Sequence, residues 1–252
     1  MPRAARLFLA LLVGIALGGC VVYQPMQGAA PNLHARGESE VTASSYFNNR
    51  VELAGSYSPV QHVLVRAAGS STFAAGDSTA IRSRQYDLGL GTYWELSPGL
   101  TAGAIAGYGQ AVARARFGTI GVFLPPPRYD YAVRYHKVFG EAYVLFQASP
   151  TVSFGASYRL TQVAFRSLTN QGQPVDLTGM LRHEPMFFFR AGAGPDTGTF
   201  PLQLQLAFGA SVANGYNNRA PNYSQETYYL LQPRYYTTLS FTVFPHQVFR
   251  HH

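Results

Sequence analysis

The stretch SPTVSFGASYRLT (149–161) decides how this chain folds. In an extended strand, Val152, Phe154, Ala156, Tyr158 and Leu160 share one face, while Ser153, Gly155, Ser157, Arg159 and Thr161 share the other. Ser149-Pro150 stands immediately ahead of it. Proline presets the backbone for a turn and serine bonds back to it, so the pair reads as a hairpin tip. Ser-Pro recurs at 58/59 and 97/98, again between alternating runs. Before the second pair, Tyr86, Leu88, Leu90, Trp94 and Leu96 oppose Gln85, Asp87, Gly89, Gly91 and Glu95. Further on, Phe200, Leu202, Leu204, Leu206 and Phe208 oppose Gln203, Gln205, Ala207 and Gly209, and Tyr235, Leu239, Phe241 and Val243 oppose Tyr236, Thr238, Ser240 and Thr242.

Working outward, the alternation predicts strands near 38–46, 50–57, 62–73, 82–96, 100–116, 132–147, 151–166, 185–194, 200–213 and 231–244. Helical periodicity is scarcely present. Several strands are apolar on one face for about nine residues, the length a tilted strand needs to cross a bilayer. Aromatic residues bracket these bands: Tyr86 and Trp94 on one, Phe154 and Tyr158 on another. Connections alternate in length, apart from the two-residue NN at 48–49. The Ser-Pro turns and GPDTGT (194–199) are short, whereas AAGDSTAI (74–81), GTIGVFLPPPRYDY (118–131), SLTNQGQPVDLTGMLRH (167–183) and NGYNNRAPNYSQETYY (214–229) are long. Short turns at one end and long loops at the other predict an all-β, single antiparallel up-and-down transmembrane β-barrel of about ten strands, eight to twelve being compatible with the pattern.

The amino terminus supplies an address. Arg3 and Arg6 precede an uncharged, leucine-rich run from Leu7 to Leu17, and LGGC follows, ending at Cys20. This reads as a signal peptide over 1–19. Leu17, Gly18, Gly19 and Cys20 resemble the lipobox of bacterial lipoproteins. That resemblance implies a diacylglyceryl group on the Cys20 thiol, cleavage ahead of it, and acylation of the new terminus. Cys20 is the single cysteine of the 252 residues, so intrachain disulfides and thiolate metal sites are excluded. VVYQPMQGAAPNLHARG (21–37) lacks periodicity and contains Pro25 and Pro31; residues 20–37 are expected to be a flexible tether, with the barrel domain over 38–252. Extended, such a tether reaches on the order of 50 Å.

From the Ser-Pro turns outward, the domain resembles small bacterial outer-membrane β-barrels of the OmpA-like and OmpW-like class, in pattern and topology rather than by a diagnostic motif. The carboxyl terminus departs from that class, since FTVFPHQVFRHH continues past Phe244. The resemblance implies residence in the bacterial outer membrane, with both barrel ends on the periplasmic side beside the lipid. It also implies partners in membrane lipid and in the machineries that process lipoproteins and insert barrels. The formal charge of +7 is spread over scattered arginines without a basic stripe, so no nucleic-acid partner is expected.

If the apolar face meets lipid, the opposite face delivers Glu52, Arg66, Asp87, Glu95, Glu141, Arg159 and Arg190 to the lumen. Confined charges of both signs are expected to pair into a network that holds the lumen closed; a narrow polar pathway for small solutes is the alternative. A lipid-anchored soluble barrel would reverse the faces and enclose an apolar ligand. Catalysis is not expected. A rim enzyme would draw on His136 and His183, with Asp130 and Glu184 near in sequence, but no nucleophile or metal spacing accompanies them. No metal or cofactor is predicted besides the lipid on Cys20, and the adjacent histidines of the terminal RHH read as a frayed end. The expected role is structural or surface interaction, with any ligand bound at the long loops.

Overall fold

A computed structural model describes residues 22–75, 79–118, 128–192, 202–216 and 224–249. Its strands are β1 (Ser39–Tyr46), β2 (Arg50–Tyr57), β3 (Leu64–Ala75), β4 (Ala80–Ser97), β5 (Leu100–Gly118), β6 (Arg128–Ser149), β7 (Val152–Asn170), the two-residue β8 (Gln173–Pro174), β9 (Gly179–Gly192), β10 (Leu202–Ala213) and β11 (Arg234–Val243). Two short helices join them, α1 (Gln225–Leu231) and α2 (Pro245–Phe249). Each strand pairs antiparallel with its neighbour, β1 returns to β11, and β8 is a stub on β7. The result is a closed ten-stranded up-and-down barrel.

The Ser-Pro pairs lie at one rim. Pro98 and Gly99 alone separate β4 from β5, and Gly99 has φ +79°, the left-handed value that the third position of a type II turn requires. Pro150 and Thr151 join β6 to β7. The first pair opens a longer loop: the Ser58 hydroxyl donates to the Val60 carbonyl and lies 2.6 Å from the Tyr93 hydroxyl, and the turn ends at His62, φ 64°. At the opposite rim the strands outrun their sequence-predicted limits. β6 begins at Arg128, which pairs with Gly118 of β5, and β7 ends at Asn170, which pairs with Tyr131 of β6. GPDTGT (194–199) and the prolines at 125–127 lie outside the described residues.

The two faces of the wall are of opposite character. Leu90, Val138, Phe187 and Phe241 are exposed outside; inside, Thr238 and Ser240 are wholly buried, as are Glu184 and Gln205. The soluble-barrel expectation places the large apolar side chains inside, around a ligand cavity; instead many of them stand exposed on the outer face, and the interior mixes buried charges and small polar residues with aromatic side chains such as Tyr93, Phe139 and Phe188. Apolar packing inside falls into two clusters, one toward the long-loop rim and one reaching from the Ser-Pro rim to mid-barrel. At the long-loop rim, Leu230 and Leu231 of α1 fold over Phe117, Tyr129 and Tyr131. At the Ser-Pro rim, Leu64, Tyr93 and Leu145 pack together.

Candidate functional site

The lumen is occupied by the chain itself. Residues 22–33, expected to be part of a flexible tether, are buried throughout and run the length of the barrel. Val22 and Tyr23 belong to the cluster at the long-loop rim, while Ala30 and Leu33 belong to the one at the Ser-Pro rim. The segment thus descends through the barrel, turns near Gly37, where φ is +83°, and rises as β1.

Polar side chains of the wall hold this plug at successive levels. Near the top, the Tyr23 hydroxyl donates to Glu184 Oε1 (2.8 Å), and the Arg182 guanidinium lies 5.0 Å from the Tyr23 ring centre. Gln24 Oε1 accepts from Thr72 and Ser83, and its carbonyl accepts from Gln85 Nε2. Midway, Gln27 donates to the Ser157 hydroxyl and accepts from the Tyr236 hydroxyl. Gly28 donates its N–H to Glu52 Oε1 (3.1 Å) and accepts from Gln205 Nε2 (2.6 Å) and the Ser240 hydroxyl. Lower down, Arg190 donates to the Ala30 carbonyl, and the Asn32 N–H reaches Glu40 Oε2 (3.0 Å). An extended chain in a closed space must satisfy its backbone groups without a sheet partner, and these side chains do so for the carbonyls of Gln24, Gly28 and Ala30 and the N–H groups of Gly28 and Asn32. Pro25 and Pro31 reduce the demand by two donors.

Beside the plug lies a charge network. Asp87 pairs with Lys137 (2.9 Å) and Arg159 (3.1 Å); Arg159 also binds Glu141 (2.6 Å), with Arg66 3.8 Å from the same carboxylate. Four of the predicted lumen residues, Arg66, Asp87, Glu141 and Arg159, thus come together. Glu52 and Arg190 are buried but serve the plug, Glu52 also accepting from the Tyr46 hydroxyl (2.7 Å) and Arg190 donating to Gln205. Glu95 is a correction. Its alternation points inward, yet it is exposed, because it stands at the register shift beside the Ser97 turn, where the lumen opens. Sequence reasoning missed Glu40, Arg50, Lys137, Arg182 and Glu184, all buried inside. For all but Glu40, even spacing with recognised lumen positions on the same strands was the available signal.

On the outer wall, Tyr86, Trp94, Phe154 and Tyr158 are exposed, as the aromatic brackets require. His136 and His183 also face outward, on β6 and β9 with β7 between them. The His183 ring is 2.5 Å from the Tyr158 hydroxyl, and His136 accepts a long bond (3.4 Å) from Arg166. Glu184 points into the lumen instead, so the residues named for a rim enzyme are not assembled. Asp130 lies beyond the apolar band of β6, bound to Arg114 (2.8 Å) and Arg116 (3.1 Å). The Arg114 hydrogen bond holds its carboxyl below the usual carboxylate range. Among the described residues no cluster of His, Asp or Glu is suited to a metal ion. The chain matches no protein-family model and no curated protein.

Proposed function

We propose that this protein is an integral outer-membrane β-barrel lipoprotein with a structural or surface-interaction role, its lumen closed by its own amino-terminal segment. One observation carries the reading: the wall exposes an apolar belt on its outer face and buries its charged side chains in the lumen, the inverse of a water-soluble barrel. A soluble protein rarely exposes a continuous apolar belt of this size, because hydrating it is unfavourable. In a bilayer the same belt is covered by acyl chains, and closure of the sheet leaves no unpaired backbone edge in lipid. The test separates the barrel from its anchor. A Cys20→Ser variant, which cannot carry the thioether lipid, is expected to stay in the outer-membrane fraction and to need detergent for extraction. Recovery as a soluble protein without detergent would falsify the reading.

The plug bears on where a lipid on Cys20 would sit. The strand count alone puts both barrel ends beside the Ser-Pro turns, and hence the lipid on the periplasmic side. Val22, however, lies in the cluster at the long-loop rim. Two residues reach at most about 7 Å. This supports a lipid on Cys20 emerging at the long-loop rim, in the leaflet opposite the Ser-Pro turns. An epitope inserted between residues 21 and 22 should be detected on intact cells together with one placed between the ends of β5 and β6, after Gly118. Detection only after the envelope is permeabilised would return the lipid to the periplasmic side.

A further inference from the structure

On the outer wall above the apolar band, arginines gather on adjacent strands. Arg82 and Arg84 lie on β4, Arg114 and Arg116 on β5, Arg134 on β6 and Arg166 on β7, all exposed. The sheet register brings them side by side. Arg82 stands directly opposite Arg114, and Arg84 and Arg134 are the two cross-strand neighbours of Val112. Neighbouring strands are about 4.8 Å apart, so guanidinium groups two strands apart reach a common centre. Like charges placed opposite one another in a sheet repel, and this arrangement costs stability unless an anion lies between them. Asp130 answers only Arg114 and Arg116. Among the described residues, Arg82, Arg84 and Arg134 have no carboxylate partner.

These side chains border a groove of about 590 Å³ on the wall, lined by Arg82, Arg84, Arg114 and Arg134 over a floor that includes Val112 and Ala132. Immediately toward the Ser-Pro rim, the same outer face continues as Tyr86, Leu88, Tyr108 and Val138. A ligand seated in the groove would therefore have a cationic cradle at one end and an exposed apolar wall beneath it.

We propose that this groove binds the phosphate-bearing headgroup of an anionic membrane lipid in the leaflet at the long-loop rim, with the acyl chains lying along the β4–β6 wall. The inference rests on the membrane-barrel reading. Guanidinium forks suit phosphate oxygens through paired hydrogen bonds, and several of them can share one anion. Continuity of the cradle with the apolar wall selects an amphiphile over a free phosphate or an acidic protein, neither of which would use the lower half of the site.

The full chain is reconstituted into phosphatidylcholine vesicles carrying a minor share of phosphatidylglycerol, then extracted in mild detergent, and retained lipids are counted by native mass spectrometry. Wild type should retain phosphatidylglycerol beyond its share of the bilayer. Loss of two arginines, in Arg84→Gln combined with Arg134→Gln, should reduce that enrichment by about tenfold or more. Arg36→Gln, an exposed arginine at the opposite rim, should leave it unchanged. Both changes are on exposed side chains, and unaltered resistance of the barrel to cold sodium dodecyl sulfate verifies folding. No enrichment in wild type, equal retention by the double variant, or equal loss in Arg36→Gln would each overturn the site. Displacement of the lipid by inorganic pyrophosphate at matching concentration would assign the cradle to soluble phosphates and overturn the lipid as its occupant. Flotation with pure phosphatidylcholine vesicles reads the barrel separately: failure to insert defeats both readings, whereas insertion without enrichment defeats only this one.

Discussion

Asp87 holds two cations at once, Lys137 and Arg159, in a lumen where all three side chains are almost wholly buried. Removing that carboxylate leaves Lys137 buried without a carboxylate partner and Arg159 with Glu141 alone. Truncating one partner of a buried pair typically costs about 3–5 kcal/mol. Asp87→Ala is accordingly expected to lower barrel stability by that order, read as a drop in the unfolding midpoint in detergent micelles. Glu95→Ala, at the open mouth, should change it by no more than about 0.5 kcal/mol. Equal losses for the two would mean that the network carries no more than the rim. Both residues show the same inward alternation in the sequence. Nothing in the residue types separates them; distance from the turn does, since Glu95 is adjacent to the register shift that ends β4.

At the level of elements, strands were legible because residues facing the lumen and residues on the outer wall differ in polarity, and that difference is written as a period of two. The limits erred where this contrast fades. Beyond the apolar band, β6 carries Arg128, Asp130 and Arg134 outward, so its first turn of strand reads as loop although the ladder to β5 persists as far as Gly118 and Arg128. The plug was illegible for a related reason. It has no sheet partner and hence no period, and Pro25 and Pro31 suggest a linker to any local reading. The signal lay in the wall. Inward positions such as Ser70, Thr72, Ser83, Ser157, Ser240 and Thr242 are too small to fill a ten-stranded lumen, and interiors do not tolerate such voids. Gln24, Gln27 and Asn32, spaced through small residues, are the complement of that wall. Even the aromatic content is arranged around it: Tyr236 lies across Gly209, where a Cβ would stand 2.2 Å from the ring, and so carries its hydroxyl to Gln27.

The molecule as a whole combines a tube with a stopper formed by its own chain. Inward cations (Arg50, Arg66, Lys137, Arg159, Arg182, Arg190) and inward anions (Glu38, Glu40, Glu52, Asp87, Glu141, Glu184) are mixed along the lumen, so the wall itself favours neither sign of ion strongly. What blocks passage is the segment 22–33 and, above it, the α1 cap. At Gly28 the wall approaches the plug closely: a Cβ there would lie 2.6 Å from the Ser44 hydroxyl and 2.9 Å from Glu52 Oε1. Those two oxygens are not free to retreat, since Glu52 binds Tyr46 and Ser44 accepts from Ser240 (2.8 Å). A bulky side chain at 28 therefore cannot share the lumen with the wall, whereas the wall, closed by its own strand ladders, does not depend on residue 28. In planar bilayers the wild-type protein is expected to be silent at all voltages, and Gly28→Phe to give discrete, weakly ion-selective steps as the plug is forced out. Steps in the wild type would show that the plug does not seal. A silent Gly28→Phe protein whose residues 22–33 had become open to protease would show that the α1 cap and the wall side chains close the tube without it.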